Sequence, residues 1–201
     1  MKSTIGIKQS MSQRFLSDGR VAPVTSFVLP LCTVTQIKTK DHDGYSAVQL
    51  GALPLRTPAK TLQGKQFKYL KEFRVNEELT SGITLGQLMQ DITFKAGDTV
   101  TVASISKGKG FAGVVKRHHF RGHPTTHGHK DQARASGSIG HGVQHVVKGT
   151  RMAGRMGNAQ VTVKHLKVIE VNPATREILV KGSVAGPRNA LVFIHLDKQA
   201  S

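Results

Sequence analysis

The chain has 201 residues, and its 29 Lys and Arg against 12 Asp and Glu give a formal net charge of +17. Such an excess of positive charge indicates a polyanionic partner, most commonly nucleic acid, with an anionic membrane surface as the rival. The single cysteine, Cys32, excludes a disulfide framework within the chain, and no apolar run approaches the ~20 residues of a membrane helix, which argues against membrane residence.

The first hundred residues predict short elements separated by turns and prolines. Val, Thr and Ile are abundant over residues 21–38, where Pro23 and Pro30 interrupt the run and so predict a strand, a kink and a second strand. Cys32 lies in an apolar part of this run and is predicted to be buried rather than a reactive thiol. The elements that follow are predicted as a turn at 43–44, a strand over 45–52, an exposed connection over 53–71, a strand over 72–75 and a short helix over 84–89.

The second half of the chain predicts further strands on either side of an unusual segment. In the first of them, Val100 and Val102 alternate with polar residues, as they do in a half-buried strand. The predicted strands are 98–106, two within 160–184 around a turn at 172–175, and 189–196. Strands at roughly ten-residue spacing are typical of a barrel or a sandwich. We therefore predict a mainly β fold whose discontinuous body comprises residues 1–106 and 158–201.

Residues 107–157 differ from the rest of the chain in composition. They contain ten Lys and Arg with Asp131 as the single acid, together with seven of the ten histidines and eleven of the 21 glycines. Few apolar side chains are available to fold such a stretch by itself, and a long segment without its own core is usually functional or disordered. We predict that 107–157 is an extended arm that becomes ordered on a partner.

One motif in this segment suggests a nucleotide pocket. The stretch from Gly108 to Gly113, GKGFAG, matches the G-x-G-x-x-G pattern, in which a helix begins at the glycines and faces a pyrophosphate. The residues that follow are β-branched and basic, and Gly122 and Pro124 interrupt them, so no such helix is predicted. No alternating βαβ pattern surrounds the motif, and the motif alone is weak evidence. A nucleotide-binding enzyme that uses the Gly108–Gly113 loop is therefore kept as the alternative.

The histidines raise the question of a metal site. His127 and His129 could begin one, with Asp131 as the sole carboxylate, but structural zinc sites favour cysteine partners. The histidines are better explained as hydrogen-bonding or stacking partners for nucleic-acid bases. The segment also lacks a Ser/His/Asp arrangement and paired carboxylates. We therefore expect no catalytic residues, no metal, no cofactor and no enzymatic activity.

Nucleic-acid binding explains these features together, because cations neutralise phosphates, Arg also stacks on bases, and glycine lets the backbone come close to a phosphate. The side chains predicted to contact nucleic acid are those of Lys107, Lys109, Lys116, Arg117, His118, His119, Arg121, His127, Lys130, Arg134, Lys148, Arg151 and Arg155. The glycines predicted to let the backbone approach are Gly108, Gly110, Gly113, Gly128, Gly137, Gly140, Gly154 and Gly157. A free-standing nucleic-acid chaperone is a further alternative.

Several stretches resemble a known family over nearly the whole chain. The central ones read SKGKGFAGVVKRH from residue 106, THG from 126, GSIG from 137 and MAGRMG from 152, and they are similar to the signature of the ribosomal protein L3 family in its bacterial form. Further matches lie at 5–6, 8, 11, 15, 18–19, 23–25, 72–74, 95–98 and 179–182. The chain departs from the family at Ser136, where Pro is common, and in a shorter spacer after Gly140. For that reason no modification is assigned to Gln144.

The resemblance implies a translation-factor-like β-barrel that carries a long, irregular, basic extension. It implies that the extension binds large-subunit rRNA, with its tip toward the peptidyl transferase centre, and that the protein helps to organise subunit assembly. The implied neighbours are ribosomal proteins L14 and L19, and the implied location is the cytoplasmic ribosome. Neither a membrane nor a homo-oligomer is expected.

Overall fold

The computed structural model describes residues 3–57, 60–61, 66–76, 82–89, 93–140, 142 and 145–198. The chain divides into two compact units, of which the first comprises Met1–Ile105 and Gln160–Ser201 and the second Ser106–Ala159. The elements in chain order are β1 (Ser3–Phe15), β2 (Val21–Val28), β3 (Cys32–Lys38), α1 (Lys40–Asp43), β4 (Ala47–Pro54), β5 (Phe67–Arg74), β6 (Leu88–Met89), β7 (Thr99–Ile105), β8 (Phe111–Ala112), α2 (Val114–His118), a 3-10 turn (Lys130–Gln132), β9 (Gly154–Arg155), β10 (Gln160–Asn172), β11 (Glu177–Lys181) and β12 (Leu191–Lys198). The prediction of a mainly β fold is confirmed.

Six strands of the first unit form a closed antiparallel barrel in the order β1-β12-β7-β10-β11-β2. Its interior is apolar because alternate side chains of each strand point inward, as the buried Val100 and Val102 of β7 do. These valines pack in one cluster with residues of four other strands, among them Phe27, Ile178 and Ile194, all fully buried. The barrel thus has a continuous core made of residues from both ends of the chain.

A four-stranded antiparallel sheet, in the order β5-β4-β3-β6, completes the first unit. Its core cluster includes Val34, Val48 and Leu50 together with Ile5 of β1. Cys32 belongs to this cluster, and burial raises the pKa of its thiol, which confirms the prediction of a buried side chain. Across the described part of the chain, no helix is long and apolar enough to span a bilayer.

The strand predictions for 98–106, 160–184 and 189–196 are confirmed, but the expected kink at Pro23 is wrong. Pro23 lies inside β2, opposite Gln13 of β1. Its carbonyl oxygen accepts a hydrogen bond from the N–H of Gly182, and β11 ends at Lys181, so the missing N–H of Pro23 faces the end of that strand. A proline is tolerated where the neighbouring strand stops. The chain does break around Pro30, between β2 and β3, so the predicted strand, kink and second strand are confirmed there.

Two other predictions are corrected by strand pairing. The connection expected over 53–71 ends earlier, because β5 begins at Phe67 and pairs with β4 from Pro54 onward; residues 58–59 and 62–65 lie outside the described residues. The helix expected over 84–89 does not form. Gly86 takes a left-handed φ of 79°, and Leu88 and Met89 pair with the edge of β3. Pairing with an open strand edge therefore outweighs the weak helical propensity of this stretch.

Candidate nucleic-acid interface

The two ends of the second unit are joined by a short antiparallel ladder. Phe111 of β8 pairs with Arg155 of β9. The ladder continues through the Lys109 N–H, which donates to the Met156 carbonyl at 2.9 Å, and the Met156 N–H, which donates to the Gly110 carbonyl at 2.9 Å. These bonds fix residues 106–112 against 154–159, and the glycine-rich stretch is therefore part of an ordered ribbon.

Two glycines of the predicted interface lie so close to other parts of the chain that a Cβ would collide with them. Gly157 has a left-handed φ of 73°, and a Cβ there would overlap the carbonyl oxygen of Lys107. A Cβ on Gly154 would lie 2.5 Å from the guanidinium Nη1 of Arg117. At Gly113 and Gly140, in contrast, φ is not left-handed and no heavy atom of the described residues lies within 4 Å of an added Cβ. Gly113 is the N-cap of α2, a position where glycine is favoured over alanine. The described part of the chain gives no such reason for glycine at Gly140.

The remaining glycines of the predicted interface fall into two groups. Gly110, Gly128 and Gly137 have φ values of 66°, 80° and 76° with open space around them. Gly108 has no left-handed φ, and an added Cβ would make only an ordinary contact with Asn158 at 3.7 Å. Backbone conformation therefore accounts for the first three glycines, while Gly108 resembles Gly140 in having no cause among the described residues.

A helix does begin directly after Gly113, which corrects the expectation that none would. The five-residue helix α2 forms because Val114 is buried and because its last turn is held by the neighbouring segment. The Arg117 guanidinium donates to the Met152 carbonyl at 2.8 Å, and Nε2 of His118 lies 3.1 Å from the same oxygen. Arg117 and His118 thus bind the chain itself, although both were predicted as nucleic-acid contacts.

The nucleotide-pocket alternative lacks its structural context. The fingerprint needs a parallel βαβ unit, whereas β8 pairs antiparallel with β9 and β7 pairs antiparallel with β10 and β12. The helix after the glycines ends at His118 after five residues. Nothing in this arrangement supports an enzyme that uses the Gly108–Gly113 loop.

The histidine-rich middle of the second unit is held by a contact between two rings and by a backbone hydrogen bond. The rings of His123 and His129 stack with centroids 5.4 Å apart, and the His123 N–H donates to the Ala133 carbonyl. Among the residues that the structure describes, no three His, Cys, Asp or Glu lie together as a metal site requires. His141 and Gln144 lie outside the described residues.

Most cations of this unit are exposed, and none forms an ion pair within the described part of the chain. Nine of the ten side chains, all except that of Arg117, are exposed. No ion pair in the described part of the chain involves any of the ten. The single acid of the unit, Asp131, therefore neutralises none of them, and the surface presents concentrated positive charge.

An open cleft of about 710 Å³ lies along the ladder, lined by Gly108, Gly110, Phe111 and residues 155–158. Sequence reasoning selected Arg155 and three of the cleft's glycines but missed Phe111, Met156 and Asn158. The signal for Phe111 was available, because an aromatic residue inside a strongly basic, glycine-rich stretch has little core to join. Its side chain is 78% exposed.

The described groups with shifted pKa values outside the core lie elsewhere, on the four-stranded sheet. Lys38 donates to the Tyr45 hydroxyl at 2.6 Å and forms an ion pair with Glu72 at 3.1 Å. The hydrogen bonds to Tyr45 and Glu72 raise the pKa of Lys38, and the hydrogen bond from Lys38 lowers the pKa of Glu72. The Gln49 side chain also donates to Glu72, so this cluster is a satisfied structural network.

The comparisons with known proteins agree on one family. A family model described as Ribosomal protein L3 matches residues 75–178. The chain is 42% identical to the large ribosomal subunit protein uL3 of Herpetosiphon aurantiacus over 96% of this chain and 95% of the relative. It is 44% identical to uL3 of Acidothermus cellulolyticus over 96% and 91%, and 43% identical to uL3 of Solibacter usitatus over 97% and 98%.

Proposed function

The chain belongs to the ribosomal protein L3 family, a structural component of the large ribosomal subunit rather than an enzyme, and on this premise we propose that it binds large-subunit rRNA through residues 107–157. The observation that carries the proposal is the set of nine exposed cations without ion pairs in the described part of that segment. Each phosphate that such a cation neutralises releases counterions from the RNA, which is the main source of affinity in protein–nucleic acid complexes.

We assign different roles to the two parts of the chain. Residues 1–106 and 158–201 form the body, a translation-factor-like barrel, and residues 107–157 form the arm that enters the rRNA. The lack of any cause for glycine at Gly140 among the described residues supports close approach of the RNA backbone there. Arg117 and His118 act differently from the other predicted contacts, because they hold α2 to Met152 and so position the cations around it.

The finer proposals come from the family resemblance, which the similarity over 96% of the chain supports. The tip of the arm is directed toward the peptidyl transferase centre, where it supports the shape of the catalytic RNA. The protein helps to organise assembly of the subunit, and its neighbours are ribosomal proteins L14 and L19. Its place is the ribosome in the cytoplasm.

Equilibrium binding to RNA tests the proposal. The purified chain should bind a transcript of large-subunit rRNA, with log K falling linearly as log salt concentration rises, because phosphate contacts release counterions. It should show no saturable binding of ATP or NAD, because the glycine loop lies in an antiparallel ribbon. Saturable nucleotide binding, with no preference for the rRNA over heparin, would favour the enzyme instead.

A further inference from the structure

Phe111 is an aromatic side chain left in solvent at a rigid position. It is the most exposed large hydrophobic residue in the described part of the chain, at 78%. Single exposed apolar side chains are common, so exposure alone assigns no role. Phe111, however, lies on a ladder fixed by the hydrogen bonds of Lys109 and Met156, and it forms one wall of the cleft.

A cation lies beside this ring on the same face of the ribbon. Arg155 is the cross-strand partner of Phe111, so the two Cβ atoms lie on one face of the ribbon at about 4.5–5.5 Å. The Arg155 side chain is exposed and has no acidic partner among the described residues. An apolar ring and a free guanidinium are thus held side by side.

Gly108 also lines the cleft, although nothing in the described part of the chain requires glycine at this position. Gly108 has an ordinary φ, and a Cβ there would touch only Asn158, at 3.7 Å. Asn158 itself is among the residues that line the cleft. The space, about 710 Å³, is within the ~300–1,000 Å³ of small-ligand sites.

We propose that this cleft binds one unpaired nucleotide of the large-subunit rRNA, with its base stacked on Phe111 and its phosphate bound by Arg155. An aromatic face selects an unstacked base, because a base within a double helix has both faces covered. The guanidinium selects the phosphate, and the bare backbone at Gly108 leaves room for the ribose. This inference rests on the proposed function and names the subsite through which it acts.

The test compares Phe111→Leu with Phe15→Leu in the rRNA binding assay, over a series of salt concentrations. Phe15 is the matched control because it is 75% exposed and lies on a strand of the first unit. Loss of one base stack should lower the affinity of Phe111→Leu by about 5- to 150-fold at every salt concentration, without a change in slope. Phe15→Leu should bind within about twofold of the parent, since it lies outside the cleft.

Two further variants separate the parts of the subsite. Arg155→Gln should flatten the plot of log K against log salt by about 0.7–0.9, the value of one phosphate contact. Gly108→Ala should weaken binding at an unchanged melting temperature, because its Cβ meets no clash within the chain. This variant keeps the proposal testable if Phe111→Leu fails to fold. Free AMP should not compete with the RNA at millimolar concentration.

The outcomes are distinguishable. If the parent chain does not bind rRNA, the proposed function itself fails. If the parent binds, and Phe111→Leu and Gly108→Ala bind equally well, only the nucleotide subsite is overturned. Equal losses from Phe111→Leu and Phe15→Leu would also overturn it, because the effect would then not belong to the cleft. Saturable binding of AMP would show that the cleft takes free nucleotides.

Discussion

A chain in which residues 121–150 are replaced with a short Gly/Ser linker is expected to show a plot of log K against log salt that is flatter by about 1.5–3.5 units, for two to four lost phosphate contacts. The replaced stretch contains four cations, Arg121, Lys130, Arg134 and Lys148. When the salt concentration rises fourfold, from 50 to 200 mM, the factor by which binding weakens should therefore be about 8- to 130-fold smaller in the variant than in the parent. Residual binding through the retained cations is expected.

The boundaries of this replacement keep the ladder, α2 and the bonds of Arg117 and His118 to Met152 intact. The first unit should melt like that of the parent, because the core clusters of its barrel and its four-stranded sheet both consist of its own residues. The matched control is the full-length chain with all four cations changed to Gln, which should flatten the plot by the same amount. A replacement variant that melts like the parent but keeps the parent's salt slope would show that this stretch does not bind RNA.

Gly157→Ala is expected to disrupt the ladder and, with it, RNA binding. The left-handed φ of 73° costs an alanine about 1–2 kcal/mol, and the overlap of its Cβ with the Lys107 carbonyl oxygen adds a similar or larger strain. Amide hydrogen exchange measures the disruption of the ladder directly. The N–H groups of Lys109 and Met156, which bond across the ladder, should lose protection in the variant.

The matched control is Gly128→Ala. Gly128 has the same left-handed conformation, with φ 80°, but no heavy atom within 4 Å of an added Cβ. This substitution should cost only the free energy of placing alanine at a left-handed φ. It should leave the exchange protection of the Lys109 and Met156 N–H groups unchanged. Equal exchange behaviour in the two variants would contradict the close contact between Gly157 and Lys107.

Local sequence patterns predicted the barrel strands well because their side chains alternate. Val100 and Val102 show the period of two that one buried face imposes, and the turn at 172–175 separates two such runs. The start of β5 at Phe67 was missed because this strand carries lysines. Lysines at the edge of a sheet prevent pairing with other chains, so they are compatible with a strand. The left-handed turn at Gly86 and the strand β6 were missed because a strand of two residues is too short to show alternating hydrophobicity.

Composition predicted where the candidate interface lies in the sequence, but it could not show which of its glycines the fold requires. Gly157 and Lys107 are fifty residues apart in sequence, and only the pairing of the two ends of the segment brings them together. The role of Arg117 was hidden for the same reason, since its partner Met152 lies far along the chain. Phe111 was missed because the prediction drew only on the cations, histidines and glycines of the segment. Contacts that depend on distant partners require the three-dimensional structure.

Sedimentation of cell extract is the most direct test of the proposed ribosomal role. A tagged full-length chain is followed through a sucrose gradient in high salt, which removes proteins that are bound only loosely. We expect the chain to co-migrate with the large ribosomal subunit and to be absent from the small-subunit fractions, because the proposed rRNA contacts would hold it there. A chain that remained in the ribosome-free fractions at the top of the gradient would contradict this role and favour a free-standing nucleic-acid chaperone.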